Sequence, residues 1–342
     1  MSLFSFRPKQ VSKNLLGVLP ERTYDIIVSR FGLGDSPERQ TLEFIGNRYG
    51  VTRERVRQVE NSGLQAIKNS DVYKKEEGAF KELFKVVDTL GAVVPEDHLL
   101  ELLASDPVTQ NHIYFYLVLG DEFTREKESD DLNHHWTIDK VLAHKIHIIL
   151  KKVHANLTDE DLIPESDMIA SFLTHAKDIP EKYRNDEVVK RWLKLSRHID
   201  RNDFGDWGKA SSSNIRTRGM RDYAYLIIRR HGSPMHFREV AQNITKAFGK
   251  SAHVATCHNE LIKDPRFILV GRGLYALSDW GYTKGVVRDV IREILKKDGP
   301  LSKEAITERV LKERYVKENT ILVNLQNSKY FKKVKGGLYS NA

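Results

Sequence analysis

The chain has 342 residues, 40% of them hydrophobic and 30% charged, with a formal net charge of +8. This composition is apolar enough for several small cores and excludes a disordered chain. No window approaches the roughly 18 apolar residues of a membrane-spanning helix, and a single cysteine, Cys257, excludes an internal disulfide.

The charge is unevenly distributed. Residues 1–74 carry 12 basic and 8 acidic side chains, residues 75–208 carry 17 and 27, and residues 209–342 carry 26 and 12. Basic ends flanking an acidic middle suit phosphate contact at the ends and protein contact between them. The N-terminal stretch has no apolar core of signal-peptide length, so a cytoplasmic, nucleoid-associated protein is expected.

In chain order, residues 1–18 read as a flexible tail. A helix follows from Leu19, with Pro20 and Glu21 in its first turn, where a missing N–H is harmless and an acid suits the dipole. Gly32 and Gly34 stop it, and Asp35 to Gln40 form a polar loop. Thr41 is placed to cap the next helix, which carries Leu42, Ile45 and Tyr49 on one face. Gly50 ends that helix and Thr52 caps its successor, a helix-turn-helix order.

The second helix of the pair divides into two faces. Val56, Val59, Gly63, Ala66 and Ile67 are expected to pack inward. Arg53, Glu54, Arg57, Gln58 and Asn61 form an outward face. Arg can grip guanine, Glu can accept from cytosine and Gln can pair with adenine, while Arg48 and Arg55, off that face, suit phosphates. A solvated, salt-bridged surface has the same composition, so the residue types leave both readings open.

Leu19 to Ile67 resembles region four of the primary bacterial sigma factors. The similarity lies in LPER (from Leu19), RFGLGD (Arg30–Asp35), TLEFIG (Thr41–Gly46) and VTRERVRQVE (Val51–Glu60). The resemblance implies that this module, residues 19–74, binds double-stranded promoter DNA in the major groove and docks on the beta flap of RNA polymerase. It implies base-edge contacts for Arg53, Glu54, Arg57 and Gln58, and backbone contacts for Arg55, Thr41 and Thr52. Only eighteen residues precede Leu19, too few for the upstream sigma regions that open DNA, so a complete initiation factor is not expected.

Two segments, 75–138 and 139–208, each suggest three helices followed by a hairpin, the winged-helix order. Residues 209–217 are polar and Ser-rich and read as a linker. The C-terminal third contains an internal repeat. Phe267, Val270, Gly273, Leu274 and Tyr275 recur as Phe331, Val334, Gly337, Leu338 and Tyr339, a shift of 64 residues. The predicted modules are therefore 218–282 and 283–342. Met220 to Gly281 resembles the HARE-type helix-turn-helix through GSPMHFREVA (Gly232–Ala241), DPRFILVGRG (Asp264–Gly273) and LYALSDWG (Leu274–Gly281). That family includes the polymerase delta subunit, restriction enzymes and chromatin proteins. The resemblance implies a nucleic-acid or polymerase-associated role. Arg272 at the hairpin tip could enter a minor groove and His258 and Lys263 could meet phosphates, while Gly271-Arg272-Gly273 also reads as a plain turn with a solvated Arg272.

The expected fold is mainly α and multi-domain, a sigma region-four-like helix-turn-helix followed by tandem winged-helix modules. No phosphate-binding Gly-rich loop or nucleophile elbow is present. His144 and His147 lie at i, i+3, and His253, Cys257 and His258 share one helix, but neither set has the remaining ligands of a metal site. The expectation is a DNA-binding transcription factor without catalytic activity, cofactor, metal, membrane or small-molecule partner. Two alternatives remain: a delta-like polymerase accessory subunit acting by protein contact, and a non-catalytic recognition component of a DNA modification or restriction system.

Overall fold

The computed structural model describes residues 4–342. The chain is mainly helical, with small antiparallel sheets, and divides into two compact units. One unit runs to Arg201 and takes in Gly205–Ala210. The other comprises Asn202–Phe204 and Ser211–Ala342.

The first unit begins with α1 (Pro8–Leu16), in a segment that reads from sequence as part of a flexible tail. Residues 1–3 lie outside the described residues, but Val11, Leu15 and Leu16 are buried, and Asn14 donates to Glu76 at 2.7 Å. A nine-residue helix is marginal in isolation. This one is held by the apolar surface of residues more than sixty positions away, which local pattern does not reveal. Next come α2 (Glu21–Phe31), α3 (Leu42–Tyr49), α4 (Arg53–Lys68) and the short α5 (Asp71–Lys75).

The segment that follows contains α6 (Glu77–Thr89), β1 (Val93–Pro95), α7 (Glu96–Leu103), α8 (Pro107–Leu119), β2 (Thr124–Glu126) and β3 (His135–Thr137). Its sheet order is β1-β3-β2, with Val94 opposite Trp136 and Arg125 opposite Trp136 on the other edge. Helix, strand, two helices and two strands is the winged-helix order. Helix α8 starts at Pro107, ahead of its apolar run, because Asp106 accepts from Thr109 N–H at 2.8 Å and caps it.

A second such order follows in α9 (Lys140–Ala155), α10 (Glu165–Thr174), α11 (Asp186–Leu193), β4 (Ile199–Arg201) and β5 (Trp207–Lys209). Here the first strand is reduced to one bridge, Ile163 to Trp207. The two winged segments dock at Gly91, whose carbonyl accepts from Trp192 Nε1 at 3.2 Å. With φ at +112°, and with a Cβ there falling 2.6 Å from Val188 Cγ1, that position admits only glycine.

The second unit contains α12 (Met220–His231), β6 (Met235–His236), α13 (Phe237–Phe248), α14 (Val254–Lys263), β7 (Phe267–Leu269) and β8 (Leu274–Leu277), with sheet order β6-β8-β7. It repeats the scheme in α15 (Val287–Asp298), α16 (Lys303–Glu313), α17 (Glu318–Leu325), β9 (Phe331–Lys333) and β10 (Tyr339–Asn341), and a Leu301–Tyr339 bridge takes the place of the first strand. Residues 209–217 are not the loose linker their composition suggests. Lys209 ends a strand, and Ser212, Asn214 and Ile215 are buried. Ser212 accepts from Asn214 N–H at 3.1 Å, and Asn214 O accepts from Asn202 at 3.3 Å, so the same small polar side chains that suggest flexibility instead stabilise tight turns.

Candidate nucleic-acid interface

The helix-turn-helix is built around a three-residue core of Ile26, Ile45 and Val56, one from each of α2, α3 and α4, sealed by Leu42, Tyr49, Val51 and Val59. Both expected caps form. Thr41 Oγ1 accepts from Phe44 N–H, and Thr52 Oγ1 accepts from Arg55 N–H, each at 3.2 Å. Gly50 adopts the left-handed conformation (φ +64°) that turns the chain between α3 and α4. A Cβ on Gly46 would lie 2.7 Å from the carbonyl oxygen of Val51, so α3 meets the turn at a distance that only glycine permits.

Packing on one side of α4 leaves the other side free. Val56, Gly63 and Ile67 are buried, whereas Arg53, Glu54, Arg57, Gln58 and Asn61 are exposed together. Ala66, expected inward, is exposed. It lies at the margin of the stripe, and the core closes on Ile67 instead. The outward residues partly satisfy one another. Arg57 donates to both oxygens of Glu54, and Arg55 donates to Gln58 Oε1 at 3.2 Å. The Arg57 hydrogen bonds hold the Glu54 carboxyl below its ordinary range, so this face presents a carboxylate beside several guanidinium groups.

Arg48 is turned back onto its own scaffold. It donates to Ser29 Oγ at 3.3 Å and to the Tyr49 hydroxyl at 3.1 Å, with its guanidinium 5.0 Å from the Tyr49 ring centre. Phe44, on α3, is 57% exposed, an apolar surface residue that sequence periodicity does not single out.

What orients α4 lies outside the motif. Arg30 reaches Glu60 at 3.6 Å and the Gln40 carbonyl at 3.1 Å, tying α2 to α4 and to the intervening loop. Burial pushes the Glu60 carboxyl up, with Arg30 opposing that shift. Asn111, on α8, donates to the carbonyls of Gly32 and Pro37 at 2.9 and 2.7 Å and accepts from Arg39 Nε at 2.6 Å. Arg39 also lies 3.9 Å above the Tyr114 ring. Phe31 packs against Phe115, and one apolar core joins Leu15, Ile27, Ile67, Leu83 and Ile113. The module is thus a rigid extension of the first winged segment. No local signal announces these contacts, because Asn111 and its partners are more than seventy positions apart.

Residues 15–69 match the family model for sigma-70, region 4. The region-4 match spans α2 to α4 and includes every exposed residue of α4 named above. Residues 218–280 match the HARE-HTH model, a helix-turn-helix domain described for ASXL proteins and restriction endonucleases. Among curated relatives, the principal sigma factor HrdD of Streptomyces griseus is 46% identical over 55 residues, 16% of each chain. Sigma factor SigA of a Bacillus species is 41% identical over 61 residues, 18% of this chain and 16% of that protein. Sigma factor RpoD of Helicobacter pylori is 44% identical over 57 residues, 17% of this chain and 8% of that protein. The chain therefore spans about a sixth or less of the length of these relatives.

Beyond region 4, Arg272 lies in the other unit, exposed between β7 and β8. Its loop is bound within the unit: Tyr315 N–H donates to Val270 O at 2.8 Å, and Gly271 bridges Tyr315. The cysteine on α14 is core, since Cys257 is buried and burial pushes its thiol up to about 11. His258 stacks on Phe237 with ring centres 4.2 Å apart. His147 faces Asp131 at 3.0 Å, with Lys151 at 2.9 Å from the same carboxylate, so a cation already occupies that position. Among the described residues, no group of three or more His, Cys, Asp or Glu is arranged to hold a metal, and no helix is long and apolar enough to cross a membrane.

Proposed function

We propose that this protein is a non-catalytic, sigma-like transcription factor that reads promoter-type double-stranded DNA through α4. The carrying observation is the joint exposure of Arg53, Glu54, Arg57, Gln58 and Asn61 on a helix whose opposite face is locked into two cores. A rigid helix with a free polar face of these residue types is what major-groove readout requires. In this reading Arg55 and the N-termini of α3 and α4, capped by Thr41 and Thr52, contact phosphates. The region-4 relatives are RNA polymerase sigma factors by name, which supports association with that enzyme, and docking on its beta flap is part of this proposal.

The test is footprinting on promoter fragments. Protection with a defined sequence preference is expected, and an Arg53→Ala, Arg57→Ala double variant should lose that preference. Unchanged protection and preference in the double variant would sink base reading by α4.

A second reading is supported by the charge pattern. The region-4 module shares its core with a winged segment lying in a stretch, residues 75–208, where 27 acidic side chains outnumber 17 basic ones, a surface unsuited to DNA. An accessory subunit that holds polymerase by protein contact would have such a surface. Salt-resistant capture of purified polymerase in the absence of DNA would favour it over promoter reading.

A further inference from the structure

The two winged copies of the second unit share a scheme but differ in how the cations of their hairpins are partnered. In the copy that matches HARE-HTH, the hairpin is engaged by protein. Val270 O accepts from Tyr315 N–H, and Arg266 is held by Asp222 at 3.0 Å and Asp264 at 2.7 Å. Among the described residues, Arg272 is the one cation left exposed at that tip. In the last copy, residues 319–342 contain no Asp or Glu and four lysines, Lys329, Lys332, Lys333 and Lys335. All four are exposed on or beside the β9–β10 hairpin. Among the described residues none of them lies within 4.0 Å of a carboxylate, whereas Lys74, Lys81 and Lys312 are each paired on their own helices.

The hairpin is also fixed in place. Phe331 is buried in the copy's core, Asn341 donates to Arg292 O at 3.1 Å, and Arg288 sits 4.3 Å from the Tyr330 ring centre. Its turn is Gly336-Gly337, with φ of +83° and +77°, and a Cβ on Gly336 would meet nothing within 4 Å. The tip therefore has open backbone, and cations lie along the strand and turn that lead into it. The hairpin thus gathers four exposed cations with no carboxylate partner among the described residues, which suits an anionic partner carrying regularly spaced charges. The phosphate backbone of duplex DNA is such a partner, and counterion release rewards it.

We propose that the β9–β10 hairpin is a second DNA-backbone site, with Lys329, Lys332, Lys333 and Lys335 as its phosphate ligands, and that it is independent of sequence. This extends the DNA-binding reading to a part of the chain that neither family match covers. The hairpin supplies most of the phosphate contact of the second unit, and Arg272 contributes at most one charge.

The test uses the full chain and a duplex of random sequence about 30 base pairs long, with affinity measured across a salt series. Replacing the four lysines by Gln should flatten the slope of log affinity against log salt by about 3 to 4, at roughly 0.9 for each phosphate no longer neutralised. Replacing them by Arg should restore the slope, and Arg272→Gln should change it by about 1 or less. All four side chains are exposed, so melting temperature should not move; circular dichroism checks this. An unchanged slope in the folded Gln variant would overturn the proposal. It would equally be overturned if that variant kept its DNA slope and lost binding to vesicles of anionic phospholipid. Footprinting the Arg53→Ala, Arg57→Ala variant on promoter fragments separates the two sites. If that variant keeps its sequence preference while the Gln variant flattens the slope, region-4 reading fails and the hairpin stands. If the preference is lost and the Gln variant keeps the full slope, the reverse holds.

Discussion

Arg57 donates to both carboxylate oxygens of Glu54, at 2.9 Å through Nε and 2.7 Å through a terminal nitrogen, while each side chain stays more than half exposed. The pair lies across the centre of the outward face of α4. In the free protein each partner neutralises the other, and base contact requires them to separate or to bind as a unit.

Arg57→Ala should therefore weaken binding to the preferred duplex by roughly ten- to a hundredfold and relax selection at the base pair that Arg57 reads. Selection from a randomised duplex library would detect this as one degenerate position. Loss of affinity that is uniform across all sequences would instead assign Arg57 to phosphate.

Gly46→Ala should destabilise the first unit by about 1–3 kcal/mol, because the new methyl must displace the Val51 carbonyl at the α3–α4 turn. Gly50→Ala should cost only the left-handed conformation, about 1–2 kcal/mol, since a Cβ there meets nothing. Urea titrations compare the two, and Gly50→Asn should be milder than Gly50→Ala.

Asn111→Ala should cost about 1–3 kcal/mol, by leaving the carbonyls of Gly32 and Pro37 and the Arg39 guanidinium short of a partner. Because the region-4 module and the first winged segment share a core, both should unfold in one transition that shifts as a whole. Two separable transitions, only one of them shifted, would contradict the shared core.

Arg266→Met should cost about 3–5 kcal/mol in the second unit, because it removes the guanidinium that neutralises two buried carboxylates and leaves Asp222 and Asp264 with backbone N–H donors alone. Replacing Arg266 and Asp264 by apolar residues of similar volume, with Asp222→Asn keeping an acceptor for the Arg218 and Gly219 N–H groups, should recover much of that loss, measured by calorimetry.

Stability of the first unit should fall with acid. Burial lowers the His112 and His135 pKa values below the ordinary 6.5, and His112 Nε2 is buried with no partner among the described residues, so a protonated ring would strand an N–H. Between the unfolded value and the lower folded value, the unfolded chain binds more protons. The contribution is therefore complete above about pH 6.5 and is lost as pH falls through the folded pKa. Denaturant midpoints at about pH 7.5 and 5.5 should differ less in a His112→Asn, His135→Asn variant than in the parent.

Much of the region-4 module was legible from residues alone. Thr41, Gly50 and Thr52 are local signals whose physics is complete within a single helical turn, and each occupies the cap or turn its chemistry favours. The outward face of α4 follows from helical periodicity, and only Ala66, at the stripe margin, departs from it. The exposure of Phe44 was not legible, since whether an aromatic off the Leu42–Ile45–Tyr49 face is covered depends on other elements of the fold.

By itself the sequence determined the helix-turn-helix, its polar face, the 64-residue repeat and the mainly helical class, because caps, turns and periodicity act over a few residues. Only the tertiary structure decided that α1 is docked, that residues 209–217 are packed turns, and that Asn111 orients the region-4 module. It also decided which hairpin lysines have no carboxylate partner among the described residues. Those outcomes depend on contacts between residues far apart in the chain, where burial and charge pairing are set by what the fold brings together and not by neighbouring sequence.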